Sequence, residues 1–168
     1  MARAWLHRAL GIEAELVRAG EFTQRQPSGP WTGGRDTPVN FPDAFPLLVC
    51  NTASLDDLNA RLPAPLPMTR FRPNLVIEGL APYEEDAIDT LRFEGCELRL
   101  VKPCTRCATT HVDQERGEPT TGPLEALRQY RFDRELRGVA FGQNALLVAG
   151  TGRRLEADMR GEALRREP

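Results

Sequence analysis

The tightest constraint on how this chain folds is a pair of alternating segments closing on one turn. Leu91-Arg92-Phe93 and Leu98-Arg99-Leu100 place apolar residues at every second position on either side of Glu94-Gly95, the pattern of an antiparallel hairpin with one buried face. Such a hairpin needs further strands to cover its apolar face. Residues 45–50, Leu75-Val76-Ile77 and residues 145–149 are short apolar runs between turn signals, and residues 12–18 alternate as another strand. Helical spacing is confined to three short stretches. Residues 3–10 carry Trp5, Leu6 and Leu10 on one face and stop at Gly11. A second helix starts at Ser54, read as its cap with Asp57 completing a box-like start, and runs to Leu62 with Leu55, Leu58 and Leu62 facing inward. A third follows Pro123, with Leu124, Leu127 and Tyr130 at helical spacing.

These elements sum to a mostly β, α+β fold: a largely antiparallel β-barrel with two or three short helices, rather than a parallel βαβ sheet. At 168 residues the chain suits one domain. Residues 1–19 read as a helix and strand leading in, 20–46 as a long loop rich in Gly, Pro, Ser and Thr, and 47–160 as the barrel core. Within the loop Phe41-Pro42-Asp43-Ala44-Phe45-Pro46 is a segment with two anchoring aromatics close together.

A net charge of −2 with 27% charged residues gives no bulk electrostatic ground for binding nucleic acid or an anionic membrane. No run approaches the roughly 20 apolar residues that cross a bilayer, and the N-terminus has no hydrophobic stretch followed by a small-residue cleavage site. The chain therefore reads as soluble, unexported and cytoplasmic. Nearly all its cations are arginine, a bias of GC-rich bacterial coding. Lys102 is the only lysine, so pyridoxal phosphate would have to use it and is not expected. Cys50, Cys96, Cys104 and Cys107 are read as reduced thiols, the first two as small buried hydrophobes in strand-like surroundings.

Chemistry concentrates at Cys104-Thr105-Arg106-Cys107, where the alternating run from Cys96 to Val101 meets Lys102-Pro103 and leaves its strand. Three readings are open. A zinc half-site would recruit His111 and a remote ligand such as Cys96, but no second spaced pair exists. A redox pair should open a helix, whereas Ala108-Thr109-Thr110-His111-Val112 is β-rich in composition. A single soft thiolate on a cofactor-borne transition metal would use the whole motif, with Thr and Arg meeting the cofactor's polar groups. Phe71-Arg72-Pro73-Asn74 adds a guanidinium fork and an amide fixed by proline, and Phe141-Gly142-Gln143-Asn144 reads as a bulge with an amide pair. Glu84-Glu85-Asp86 reads as a solvated loop, His7 as a helix-surface residue and His111 as a strand residue.

The order of Phe41-Pro42-Asp43-Ala44-Phe45-Pro46, Ala53-Ser54-Leu55-Asp56-Asp57-Leu58-Asn59, Phe71-Arg72-Pro73-Asn74-Leu75-Val76-Ile77, Cys104-Thr105-Arg106-Cys107, Val112-Asp113 and Phe141-Gly142-Gln143 closely resembles the MOSC domain, named for the molybdenum cofactor sulfurase C-terminus. More narrowly it resembles the branch containing the mitochondrial amidoxime reducing component and its bacterial relatives. The resemblance implies a β-barrel-based domain binding the pterin-type molybdenum cofactor, with Cys107 as the protein thiolate on molybdenum and Cys104 as a neighbour. It implies Asp43, Arg72, Asn74, Thr105 and Arg106 as contacts to the pterin or its phosphate. The implied reaction is two-electron reduction of small N-hydroxylated substrates. In that family a β-rich N-terminal domain precedes this region; here the chain opens at the linking helix, Ile88 replaces a customary tryptophan, and no ferredoxin-like segment follows. The resemblance thus implies an external electron-transfer protein of flavin or iron–sulfur type. The alternative is a non-catalytic or carrier module that passes cofactor or sulfur, or a truncated remnant.

Overall fold

The computed structural model describes residues 1–20, 25–27, 29–35, 37, 39, 42 and 44–167. In chain order these form α1 (Ala2–Leu10), a single-turn α2 (Gly29–Thr32), β1 (Leu47–Asn51), α3 (Thr52–Asn59), β2 (Leu75–Ile77), β3 (Ile88–Phe93), β4 (Cys96–Thr105), β5 (Val112–Asp113), β6 (Glu118–Pro119), α4 (Leu124–Tyr130), β7 (Phe132–Asp133), β8 (Gly138–Ala149) and β9 (Gly161–Arg165). Short 3-10 turns occupy Met68–Phe71, Glu84–Ala87 and Ala108–His111.

The hairpin that the alternation predicts is β3–β4, in register from Phe93 opposite Cys96 to Thr90 opposite Arg99. Gly95 takes a φ of 71° in its turn, a conformation glycine adopts without strain. The sheet around it runs β2-β1-β8-β4-β3-β9, with β7 also on β8. Its seven strands curl into a half-barrel that is mostly antiparallel and β-dominated, with four α-helices among the described residues. One pair, β1 with β2, is parallel, because α3 and the turn at Met68–Phe71 return the chain before β2 begins.

The curl follows from irregularity in the two longest strands. β4 slips register against β8 between Glu97 and Leu98, between Leu100 and Lys102, and between Pro103 and Thr105, where proline supplies no N–H to the ladder. At Gly142, φ is 77°, and an added Cβ would lie 2.7 Å from the Val49 carbonyl oxygen and 2.8 Å from Cys50 Sγ. Only glycine lets β8 cross β1 that closely. Two hydrophobic clusters result, one around Val49, Ile88, Leu91, Leu98 and Leu100, the other around Cys50, Leu58, Phe71, Leu127, Val139 and Phe141.

Several sequence expectations are corrected here. Residues 12–18 are not a strand: they run as coil, with Ile12, Leu16 and Val17 exposed, and nothing in α1 is buried. Their alternation finds no neighbouring strand among the described residues. The cap of α3 is Asn51, whose side chain accepts from Ala53 N, so the helix starts directly off β1 and ends at Asn59. Ser54 is buried inside it. Ala108–His111 is a 3-10 turn rather than a strand, and β4 continues through Pro103 to Thr105 instead of ending at Lys102. Glu85 is fully buried, not solvated. No helix among the described residues is long and apolar enough to cross a membrane.

Candidate functional site

β4 delivers the Cys104-Thr105-Arg106-Cys107 motif to the turn that follows it. Cys107 is exposed and stands at the N-cap of Ala108–His111; its carbonyl accepts from Thr110 N at 3.2 Å and Thr110 Oγ1 at 3.0 Å. Its thiol donates to Thr109 Oγ1 at 3.2 Å. The turn therefore fixes the backbone of an exposed cysteine. Cys104 is half-buried, with Arg106 Nη1 at 2.9 Å from its sulfur. Arg106 Nη2 donates to the Phe71 carbonyl at 2.6 Å, and its backbone N–H bonds to Val139 O. Thr105 is exposed at the strand end, its methyl 3.0 Å from where a side chain at Gly138 would begin.

The upstream segment approaches the same turn. Phe71 is fully buried and stacks on Phe141 with ring centroids 3.9 Å apart. Arg72 caps Met68–Phe71 in the left-handed region at φ 56° and is exposed. Farther along, Asn74 hooks onto β1: its N–H donates to Leu48 O and its Oδ1 accepts from Leu48 N at 2.8 Å. Its side-chain oxygen is thus occupied, leaving its NH2 as what it can offer. Arg70, 5% exposed, donates to His111 O, Thr120 Oγ1 and Asp113 Oδ2 at 3.1, 2.8 and 3.2 Å.

A polar network joins Glu84–Ala87 to α3 and β8. Glu85 receives hydrogen bonds from Ser54 Oγ at 2.7 Å and Asn51 Nδ2 at 3.0 Å, while burial raises its carboxyl above the ordinary range. Asp86 accepts from Gln143 Nε2 and pairs with Arg131 Nη2, each at 2.6 Å. Burial pushes the Cys50 thiol up to about 12, so it stays protonated and inert.

The sequence profile of the MOSC domain matches residues 36–157. The chain belongs to the MOSC domain family. Over 95 residues it is 45% identical to mitochondrial amidoxime-reducing component 1 of Mus musculus, covering 56% of this chain and 28% of that protein. It is 40% identical over 116 residues to the Homo sapiens component 1, covering 65% and 34%, and 34% identical over 145 residues to the molybdenum cofactor sulfurase of Oryza sativa subsp. japonica, covering 76% and 17%. The chain spans about a third or less of the length of these relatives.

Within this MOSC domain the structure brings together Cys107, Thr105, Arg106 and the Phe71-Arg72 turn, and ties Asn74 to the start of β1. Asp43 lies outside the described residues. The zinc arrangement does not form: among the described residues no three His, Cys, Asp or Glu converge on a metal position, and Cys96 packs in the other hydrophobic cluster, at the far end of β4. His111 packs against Gly122 with its Nε2 buried and unpartnered. Sequence reasoning missed Arg70, which reads as an ordinary arginine before a turn, and the inward face of Glu85.

Proposed function

We propose that this MOSC domain binds a pterin-type molybdenum cofactor through Cys107 and serves the two-electron reduction of small N-hydroxylated substrates. The observation that carries the reading is the environment of Cys107. Of the four cysteines it alone is exposed, on a turn whose backbone is hydrogen-bonded. Such a thiolate suits a soft metal. The Thr109 hydroxyl, 3.2 Å from the Cys107 sulfur, helps to orient that side chain. The names of the relatives, amidoxime-reducing components and a molybdenum cofactor sulfurase, support the same chemistry.

The donor set fits the cofactor's polar periphery. Arg72 brings an exposed guanidinium suited to an anionic group, Thr105 a hydroxyl, Asn74 an amide NH2, and Asp43 a carboxylate for pterin nitrogens. Arg106 lies in the same motif with its guanidinium engaged by Cys104 and Phe71, and we assign it to positioning the motif rather than to the donor set. When bound, the group supplies a two-electron couple. Reduction of an amidoxime consumes two electrons and two protons, breaks the N–O bond and releases an amidine and water. The electrons come from an external flavin or iron–sulfur protein.

The test is elemental analysis with pterin fluorescence on the chain from a cofactor-producing host, beside Cys107→Ser. Molybdenum and pterin in the parent, lost in a variant of equal melting temperature, is the expected result. An empty but folded parent would instead favour a non-catalytic or remnant domain.

A further inference from the structure

We propose that Arg70 and Arg106 form a reciprocal latch that fixes the Cys107 turn against the Arg72 turn, so that both are positioning residues. The two arginines cross between the same pair of segments in opposite directions. Arg70 leaves the turn Met68–Phe71 and donates to His111 O and Thr120 Oγ1, reaching Asp113 Oδ2 as well. Arg106 leaves the cysteine motif and donates back to the carbonyl of Phe71, the residue after Arg70. Phe71 stacks on Phe141 of β8, and the Arg106 guanidinium lies 5.5 Å from its ring centroid.

Planar guanidinium forks span several acceptors at once, which an ammonium cannot do. Arg70 does this while 5% exposed, where an unsatisfied charge would be costly. Arg106 holds its position with Nε buried and without a hydrogen-bond partner, so this geometry carries a cost that its other contacts offset. Asp113 is an organised acceptor, since Glu115 N and Arg116 N bond its Oδ1 at 3.0 and 3.1 Å. Arg72 and Cys107, both exposed, are the neighbours of the latched residues on either side. The latch determines their separation, and Arg106 acts on the site through Phe71 and Cys104 rather than by touching a cofactor. Its relevance to cofactor retention rests on the function proposed above; its mechanical role does not.

The experiment uses the metal-free full chain. Hydrogen exchange at Ala108–His111 and the rate of Cys107 carbamidomethylation are followed by mass spectrometry in Arg70→Gln, Arg106→Gln, Arg106→Lys and Arg72→Gln. Both Gln variants at the latch should raise exchange and alkylation about tenfold, the size of losing one charged hydrogen bond. Arg106→Lys, whose ammonium cannot span Phe71 O and Cys104 Sγ together, should restore only part of the protection. Arg72→Gln should change neither. Unchanged exchange in metal-free Arg106→Gln, together with loss of molybdenum from the loaded protein, would make Arg106 a cofactor contact and overturn the latch. If an arginine variant does not fold, Thr120→Val removes one Arg70 acceptor and should loosen the turn in the same direction; no change there also overturns it. Absence of molybdenum from every chain including the parent, with the exchange effects intact, would sink the cofactor reading and leave the latch standing.

Discussion

Beneath the β3–β4 hairpin the buried cluster is almost entirely aliphatic, built from Val49, Ile88, Leu91, Leu98, Leu100 and Ala145 with Cys96. The cluster beneath the Cys107 turn instead contains the stacked rings of Phe71 and Phe141, and the polar side chains Arg70, Glu85 and Gln143 are buried elsewhere in the fold. The first cluster needs only to exclude water, and alternating branched side chains do that wherever the pleat turns them inward. The second must also hold directional contacts in place. A flat ring such as Phe71 gives Arg106 a rigid wall, and Tyr83 offers the same to Arg131, 4.4 Å from its centroid. Positional accuracy is thus concentrated on the side of the sheet that carries the candidate site.

The most severe way to break this contrast is to hollow out each cluster. Phe71→Ala should cost about 3–5 kcal/mol and Leu100→Ala about 2–5 kcal/mol in urea unfolding. Only Phe71→Ala should also release exchange at Ala108–His111, because only Phe71 joins the latch. Equal local exchange in both variants would erase the distinction between the clusters.

A smaller effect sharpens the comparison through pH. Burial raises the Glu85 carboxyl in the folded chain, while in the unfolded chain it titrates near about 4.3. Between those two values the folded state holds more protons, so the Glu85 contribution to stability declines as pH rises and levels off above the folded value. Glu85→Gln should remove that decline. Asp57, lowered chiefly by its hydrogen bond from Arg61, works in the opposite sense and loses its contribution as pH falls. Stability of parent minus variant, measured by denaturant titration across pH, isolates Glu85; an unchanged slope would argue against its burial. The smallest effect belongs to the N-terminal segment. Trp5→Ala and Val17→Ser should each shift stability by no more than about 0.5 kcal/mol, since both residues lie exposed.

What could be read from the sequence was what depends on near neighbours. The Glu94-Gly95 hairpin was legible because alternation and turn chemistry agree within ten residues, and α4 because Pro123 and the Leu124, Leu127 and Tyr130 spacing agree within eight. Residues 12–18 satisfied the same alternation rule and failed, because a strand also needs a partner edge that no local pattern reports. Ser54 looked like a cap, but Asn51 ends β1 and starts α3 at once, which frees Ser54 to meet Glu85 from 31 positions away. The three acids at 84–86 looked solvated for the same reason: Asn51 and Ser54, which satisfy Glu85, are invisible from within the loop. At the site, the thiol motif near the end of its strand was legible. The crossing of Arg70 and Arg106 was not, since it depends on contacts 35 to 50 residues apart in the chain.

Among the described residues the sheet curls without closing, and β2 and β9 lie at the two ends of its strand order. Each is poorly suited to recruit another sheet. β2 is three residues long, too short to template a stable ladder, and β9 carries Glu162, facing Arg92 at 3.5 Å, and Arg165, paired with Glu84. Charges anchored along an open rim discourage edge-to-edge self-association. The half-barrel can therefore stay open at its margins without becoming a seed for aggregation.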